Sequence, residues 1–503
     1  MINRFIWIIL LAIGISACAV GPDYQRPETP VAPDYKEKAD ANAPTLPANW
    51  KSAEPRDQEH RTKWWEIFGD LQLNALEEQI DVSNLNIAQS EAAFRSARAA
   101  IRGARADFYP TLTTNPSVTR AQASSNQVSV NPGRTTTVYS LPVDLNYEFD
   151  VWGRVRRNVE SSIAAAQASA ADLETVRLSM HAELAVDYFQ LRSQDTERKL
   201  LDDNVVAYEK ALELTVNRYN QGVVSGVDVA QAQTQLETTR AQATDLEVFR
   251  AQLEHAIAVL IGKPPGSFSI ERVTTMPEPP AIPIGIPSEL LERRPDVAAA
   301  ERRMAAANAQ IGVAIAAYFP KLLLAAAGGY ASTDLSTWFS LPSRFWSVGP
   351  ELAAILFDGG KRRATTEQAR AAYDSSVAVY RLQALTAFQD VEDNLAALRI
   401  LAQEAQQQGV AVGAAERALV LARNRYTAGI TTYLEVITAQ AVALNNERIA
   451  IDIASRRLTA AVNLVKALGG GWTDSDLPYG TPPPPTEASG IVPAASNSGA
   501  ERR

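Results

Sequence analysis

The chain has very few of the residues that most metal sites, disulfides and catalytic centres need. Its 503 residues include one cysteine, three histidines and four methionines. One cysteine excludes an internal disulfide, and so few Cys and His side chains exclude a Cys/His zinc framework. The histidines (His60, His181 and His255) are far apart and stand beside no Ser or Cys nucleophile motif. We therefore expect no enzyme activity, no metal site and no dissociable cofactor.

Positive charge and long apolar runs are also scarce. The 48 Lys and Arg residues face 57 Asp and Glu residues, a net charge of −9, which argues against a nucleic-acid-binding protein. The mean hydropathy of −0.14 excludes a bundle of hydrophobic membrane helices. It leaves room for a membrane β-barrel, because barrel strands are apolar on one side only.

The single cysteine closes a short N-terminal targeting segment. Residues 1–17 contain one arginine and an apolar run that is too short to span a bilayer, which is typical of a signal peptide. The sequence Ile15-Ser16-Ala17-Cys18 resembles a bacterial lipobox, so we expect covalent lipid on Cys18. Residue 19 is not the Asp of an inner-membrane retention signal, which favours the outer membrane.

Two further segments are predicted from composition alone. Residues 18–61 are rich in Pro, Ala and polar side chains and are interpreted as an extended strap that leads from the lipid to the body. Residues 473–503, with four consecutive prolines, are predicted to form a disordered tail.

Between these ends the chain is a tandem repeat. Residues 86–110 match residues 296–320 at an offset of 210, and the Arg218-Tyr219…Gly222 and Arg425-Tyr426…Gly429 motifs match at an offset of 207. The three-residue difference falls between residues 110 and 153. We assign repeat 1 to residues 62–262, a Pro-rich connector to 263–287 and repeat 2 to 288–472.

Each repeat combines long helices with a pair of strands. Residues 154–221 contain neither Gly nor Pro, and their apolar positions recur every 3.6 residues, which predicts a helix ~100 Å long. Long helical hairpins are predicted at about 153–262 and 360–469. Strand pairs are predicted at about 108–151 and 319–357, where residues 143–150 alternate strictly between apolar and polar.

Four strands cannot close a barrel. An open strand edge in lipid leaves backbone groups without hydrogen bonds, at several kcal/mol each. Several chains must then share one barrel, and three chains give twelve strands whereas two give eight. A lipid-anchored periplasmic coiled-coil scaffold is the alternative, but it needs no strand pairs.

These features resemble the TolC-like outer-membrane factor family, in its lipoprotein branch. The resemblance covers roughly residues 19–472 and rests on the order and duplication of several motifs. They are the Trp64-Trp65-x-x-Phe68-x-Asp70-x-x-Leu73 opening, Phe108-Tyr109-Pro110 with its counterpart Tyr318-Phe319-Pro320, the turn Phe357-Asp358-Gly359-Gly360 and the two Arg-Tyr-x-x-Gly tips.

The resemblance implies a membrane α+β fold and a transport function. Three chains of such a family share a twelve-strand outer-membrane β-barrel, which a long periplasmic α-helical coiled-coil barrel continues. We expect a homotrimer among outer-membrane lipids that meets a periplasmic adaptor (membrane fusion protein) and an inner-membrane RND-type transporter. It would be the exit duct of a tripartite efflux pump, conduct small molecules passively and open by an iris-like movement of its helix tips. Whether the cargo is drugs, solvents, aromatic acids or metal ions stays open.

The resemblance also names gate residues. Asp228 and Tyr426 match the family's hydrogen-bonded lock between hairpins, Glu435 matches an acidic ring at the constriction, and Leu434 is a candidate for a hydrophobic ring. Thr431 and Thr438 depart from the family pattern, which implies a weaker lock and fewer carboxylates. An alternative that does not exclude gating is helix capping by Ser225-x-x-Asp228 and Thr432-x-x-Glu435.

One basic stripe remains without an assignment. Arg95, Arg98, Arg102 and Arg105 are spaced by 3, 4 and 3 residues, so they share one helix face. A solvated face, a lumen-facing role and a peptidoglycan-facing role are the alternatives. Trp338, Phe339, Phe345 and Trp346 flank the second strand loop and suggest an outer-membrane aromatic girdle.

Overall fold

The computed structural model describes residues 19–27, 35–37, 63–126, 133–282 and 293–470. The signal peptide, Cys18, His60 and the proposed tail lie outside these residues, as do most of the strap and residues 283–287 of the connector.

Seven α-helices are found in the described residues, and they follow the tandem repeat. Repeat 1 contributes α1 (Leu71–Ser83), α2 (Leu85–Ala106), α3 (Arg154–Asn220) and α4 (Gly226–Leu260). Repeat 2 contributes α5 (Pro295–Ala316), α6 (Lys361–Thr427) and α7 (Tyr433–Ala467). The helices α3 and α6 have 67 residues each, which corresponds to ~100 Å. None of the described helices is both long and apolar enough to cross a membrane.

The strands of both repeats join into one antiparallel sheet. They are β1 (Thr111–Thr114), β2 (Ser117–Gln122), β3 (Thr135–Phe149), β4 (Lys321–Ser332) and β5 (Arg344–Ala353). Both β1 and β2 pair with β3 in a single continuous register, in which Thr114 lies opposite Val143 and Ser117 opposite Ser140. They are therefore one strand, interrupted at residues 115–116 because Pro116 has no N–H to donate. The sheet thus has four strands in the order β1/β2, β3, β4, β5.

The register gives the sheet one continuous apolar face, opposite a face that is polar on β3. Residues that lie opposite each other on paired strands share a face, and β3 pairs with β4 along its length. The apolar face carries Leu141, Val143, Leu145, Tyr147 and Phe149 of β3, Leu322 and Leu324 of β4, and Trp346, Val348 and Leu352 of β5. The other face of β3 carries Ser140, Asp144, Asn146 and Glu148. Trp346 and Leu352 are 75% and 67% exposed, so the protomer leaves its apolar face uncovered.

A short layer packs across the middle of α3. Its 3-10 turn Trp64–Phe68 and α1 bury Trp65, Leu73 and Ile80 against α3, α4 and α7. Asp70 caps α1 by accepting hydrogen bonds from the N–H groups of Gln72 and Leu73. The same carboxylate accepts from Arg192 on α3 at 2.5 Å, and both side chains are largely buried. This ion pair fixes the layer to the long helix.

The described strap residues lie along α5 and α6. The N–H of Val20 donates to the carbonyl of Trp152 (3.1 Å), and Gly21 lies so close to Gly312 that a side chain on Gly21 would collide with the main chain of Gly312. Further along, the N–H groups of Lys36 and Glu37 donate to the Glu392 carboxylate at 2.8 and 3.0 Å. Residues 19–21 of the strap therefore lie at the foot of the sheet, and residues 36–37 lie at the middle of α6.

Candidate functional site: the two hairpin tips

The tips of the two long hairpins have the same backbone. In the first, the N–H of Val223 donates to the carbonyl of Arg218 (2.9 Å), and Gly222 has φ of 72°. In the second, the N–H of Ile430 donates to the carbonyl of Arg425 (2.9 Å), and Gly429 also has φ of 72°. Both helices end in a glycine-terminated Schellman motif, since only Gly adopts this left-handed conformation without strain.

The side chains of the two tips meet at Tyr426. This tyrosine is buried (4% exposed) beside Tyr433, with ring centroids 5.2 Å apart, in a cluster with Val436 and Ala232. The guanidinium of Arg218 lies 4.5 Å from the Tyr426 ring centroid and donates to its main-chain carbonyl at 2.8 Å. A cation–π contact and a charged hydrogen bond thus join repeat 1 to repeat 2 at the tips.

The predicted lock pair does not bond directly within one protomer. The Asp228 carboxylate accepts from the N–H (3.0 Å) and the Oγ (2.9 Å) of Ser225. The Tyr426 hydroxyl is buried without a hydrogen-bond partner among the described residues. Burial, and next the neighbouring Tyr426, raises the pKa of Tyr433 to about 12, so the Tyr433 hydroxyl stays protonated at neutral pH.

The two predicted capping motifs differ. Asp228 completes a capping box at the start of α4. Thr432 precedes α7 without a side-chain cap, and Glu435 instead forms a half-exposed ion pair with Arg425 (3.1 Å). The capping interpretation is therefore confirmed for the first tip and wrong for the second, where a neighbouring arginine competes for the carboxylate.

Each tip also exposes two apolar side chains. Leu434 is 57% exposed, and its repeat equivalent Val227 is 63% exposed. Ile430 and Val223 form a second exposed pair at equivalent positions. Sequence reasoning named Leu434 only, although the offset of 207 would have identified its equivalent Val227.

A concavity of mixed polarity lies between the long helices, away from the tips. Its volume is about 750 Å³, and α3, α4, α6 and α7 all contribute to it. On α3 the lining residues Gln190 and Gln194 lie on the side opposite Tyr188 and Arg192, which contact the α1 layer. Amide and hydroxyl side chains, such as those of Gln252 and Asn394, share the wall with apolar side chains and with the charged Glu197, Asp452 and Arg456.

The buried histidine is a packed member of an ion-pair cluster. His181 stacks on Trp65 (centroids 4.4 Å apart), and its Nδ1 lies 2.7 Å from the Glu77 carboxylate. Burial raises the pKa of Glu77 to about 7, although His181 opposes this shift. Burial alone would lower the pKa of His181, but hydrogen bonds to Asp81 and Glu77 together raise it. The described residues contain no group of three or more His, Cys, Asp and Glu side chains that could hold a metal ion.

Comparison with known proteins identifies the family. The sequence model described as "Outer membrane efflux protein" matches residues 76–263 and 286–470, one segment in each repeat. The chain belongs to this family. It is 31% identical over 474 residues to the probable efflux pump outer membrane protein TtgC of Pseudomonas putida, covering 94% of this chain and 96% of that protein. It is also 31% identical over 479 residues to outer membrane protein OprJ of Pseudomonas aeruginosa, covering 93% and 95%.

A solved structure of the family has the same fold. The outer-membrane channel OprN superposes with a TM-score of 0.81 at 31% identity, covering 90% of this chain and all of that one. The expected fold class, a TolC-like channel with a helical part and a β part, is confirmed. So are the bacterial outer-membrane location and the function as an outer-membrane efflux channel. The relatives are channel components of efflux pumps, not enzymes.

Proposed function

We propose that three copies of this efflux channel share one twelve-strand barrel and form the passive exit duct of a tripartite pump. The observation that carries the proposal is the four-stranded sheet, whose β1/β2 and β5 strands each leave one edge unpaired among the described residues. In lipid these edges need partner strands. Three chains satisfy them with twelve strands, a number within the range of membrane barrels.

The internal repeat also suggests how neighbouring copies pack. Helix α5 packs against both α3 and α6, whereas its equivalent α2 packs extensively only against α3 among the described helices. In the α3–α5 contact, Asp172 pairs with Arg303 at 2.5 Å. The equivalent positions are Val379 on α6 and Ala93 on α2, and both are exposed. We infer that these two residues meet across the seam between subunits.

A cross-linking experiment tests the trimer. Ala93→Cys with Val379→Cys, treated with a short bifunctional maleimide in outer membranes, should give a covalent ladder that ends at three chains. The matched control is Arg95→Cys with Val379→Cys, since Arg95 lies on another face of α2 and should not react across the seam. A ladder that ends at two chains would favour the eight-strand barrel. A protein that is monomeric and dissolves without detergent once Cys18 is replaced would instead favour the alternative, a lipid-anchored periplasmic coiled-coil scaffold.

The tips are the proposed gate. The apolar side chains of Val223, Val227, Ile430 and Leu434 would narrow the duct, with Glu435 as the acidic ring residue and Asp228 and Tyr426 as the lock. The Tyr426 hydroxyl is buried without a hydrogen-bond partner among the described residues. Because buried polar groups are normally paired, this supports a hydrogen-bond partner that a neighbouring subunit supplies on assembly. Tyr426→Phe with Asp228→Ala should raise single-channel conductance in bilayers. An unchanged conductance in a folded trimer would leave Asp228 with its capping role only.

The start of the strap supports a lipid anchor on Cys18. Ala19 packs against Gly153, where a side chain would collide with it, at the junction of the sheet and α3. This puts the residue that follows Cys18 at the foot of the membrane sheet. Palmitate labelling should mark the protein and be lost in Cys18→Ser, and a labelled Cys18→Ser protein would refute the assignment.

The remaining partners follow from the relatives, which are named as outer-membrane proteins of efflux pumps. A periplasmic adaptor and an inner-membrane RND-type transporter would dock at the tips and drive their iris-like opening. The wall of the concavity mixes amide, hydroxyl, apolar and charged side chains, which suits a duct that conducts varied small molecules without selecting one chemical class. Co-purification of both partners after cross-linking in cells would support this assembly, and their absence would contradict it.

A further inference from the structure

The arginine stripe of α2 is exposed and largely without carboxylate partners. Arg95, Arg102 and Arg105 are exposed, and none has an ion-pair partner among the described residues. Nearby arginines at the same end of the long helices are paired, Arg154 with Glu148 (2.9 Å) and Arg362 with Asp358 (2.6 Å). Arg95, Arg102 and Arg105 thus place three positive charges on one helix face without ion-pair partners in the described part of the chain, whose net charge over its full sequence is −9.

The repeat shows which way this stripe faces. On α5 the equivalent face is covered by the strap. The Tyr24 hydroxyl donates to Glu301, the Asn308 amide donates to the carbonyl of Pro22 (3.0 Å), and Gly21 packs on Gly312. At an offset of 210 these α5 positions correspond to Glu91, Arg98 and Arg102 of α2. The stripe therefore occupies the strap-covered side of the repeat, which is distinct from the seam face that carries Ala93.

The membrane-proximal end of the stripe lies beside the sheet. Arg105 stands one residue before the end of α2. Phe108 and Tyr109 follow with 37% and 72% exposure, and β1 begins at Thr111. Exposed aromatic residues at this boundary are typical of a membrane interface. On the α5 side, the strap begins at the same level with Ala19, next to the lipid site.

We propose that Arg102 and Arg105 bind the phosphate groups of lipids in the periplasmic leaflet of the outer membrane. At the equivalent level of α5, the helix is covered by the strap residues that follow the proposed lipid anchor. At this level of α2, the two arginines would instead contact lipids of the bilayer. Arg95 lies ten residues or ~15 Å farther along the helix axis. It is beyond the headgroup layer, which is about 5–8 Å thick on each side of the bilayer. The assignment rests on the membrane position of the sheet in the proposed function and is independent of the gate.

Spin-labelled lipids test this assignment. The full-length protein, reconstituted in phosphatidylcholine vesicles, is probed with spin-labelled phosphatidylglycerol and, in parallel, with spin-labelled phosphatidylcholine. The wild type should prefer the anionic lipid, and the preference should fall with added salt. Arg102→Gln with Arg105→Gln should lose up to about fivefold in binding for each arginine removed. The charge-preserving pair Arg102→Lys with Arg105→Lys should keep most of the preference.

Arg95→Gln is the matched control, an exposed arginine on the same face outside the headgroup layer. An unchanged preference in the double Gln variant overturns the proposal, as does an equal loss in Arg95→Gln. A double variant that keeps its lipid preference but no longer sediments with isolated peptidoglycan sacculi would also overturn it, in favour of the cell wall. Cross-linking of Ala93→Cys with Val379→Cys in each arginine variant reports independently whether the chains still assemble.

Discussion

Arg192 and Arg399 occupy equivalent positions on the two long helices, 207 residues apart, but their surroundings differ. The Arg192 side chain is 6% exposed and donates to Asp70 and to the Tyr188 hydroxyl. The Arg399 side chain is 50% exposed, and its ion-pair partner among the described residues is Glu37 of the strap. Both repeats have an arginine at this position. The segment that covers the arginine determines how much its ion pair contributes to the free energy of unfolding. Repeat 1 buries the pair under α1, and the strap leaves its counterpart in contact with water.

The largest effect is expected from breaking the buried pair. Arg192→Ala should reduce the free energy of unfolding by about 3–5 kcal/mol, because the Asp70 carboxylate stays buried without its partner. Arg399→Ala should change it by about 1 kcal/mol or less, since its ion pair is exposed to solvent. Denaturant unfolding of the detergent-extracted protein measures both. Equal losses in the two variants would show that burial does not distinguish them.

The second comparison concerns the tips. Arg218 crosses from one repeat to the other, whereas Arg425 pairs with Glu435 within its own tip. Arg218→Ala should weaken the contact between hairpins by about 2 kcal/mol, shifting the balance between closed and open tips about 30-fold. Single-channel conductance in planar bilayers should rise in this variant and change little in Arg425→Ala. The reverse order would assign the closing contact to repeat 2.

The third comparison concerns a titratable cluster that is present in repeat 1 and has no counterpart at the equivalent position of repeat 2. His181 has Phe388 as its counterpart in repeat 2, so the described His–Glu cluster occurs in one repeat only. The pKa of Glu77 is raised from 4.5 to about 7, so the folded protein holds a proton that the unfolded chain releases between these values. Its contribution to stability is therefore present below about pH 4.5 and lost as pH rises towards 7. The slope is at most about 1.4 kcal/mol per pH unit.

Thermal melts between pH 4.5 and 7.5 measure this slope. Glu77→Gln should flatten it, whereas Glu78→Gln, an exposed neighbour, should not. Burial also raises the pKa of Asp187 to about 6, which adds a slope of the same sign, so a remainder is expected. A melting temperature that rises with pH across this window in the wild type would contradict the assignment.

The smallest effect is expected at the helix starts. Asp228→Ala removes both hydrogen bonds to Ser225 and should destabilise the first turn of α4 by about 1 kcal/mol. Glu435→Ala removes an exposed ion pair and should destabilise α7 by about 0.3 kcal/mol. Amide hydrogen exchange at residues 226–230 and 433–437 measures the stability of the first turns of α4 and α7 separately. Similar protection changes in both would indicate that the carboxylates act alike.

Local patterns predicted much of this architecture. The Gly- and Pro-free stretch corresponds to α3, and the duplicated glycines mark both tips, because helix periodicity and left-handed turns depend on neighbouring residues. Four strands followed from alternation, although the break at Pro116 was not recognised. Family membership then confirmed the fold class and the outer-membrane location.

The contacts between repeats could not be predicted. Arg218 meets Tyr426 across 208 residues, and Asp70 meets Arg192 across 122. Such pairings depend on how helices pack in space, which no local pattern encodes. Whether the Glu435 carboxylate caps α7 or forms an ion pair with Arg425 also depends on this packing. Both options were present in the sequence, and the geometry of the second tip favours the ion pair.

The unpaired edges of the sheet have a genetic consequence. A single chain inserted in lipid would leave the backbone groups of β1/β2 and β5 unsatisfied, so insertion and association become one step whose rate depends on subunit concentration. In the proposed shared barrel, a chain that carries a defective edge strand would then take a place beside intact chains and prevent closure. Such alleles should be dominant over the wild type, whereas changes in the strap should be recessive.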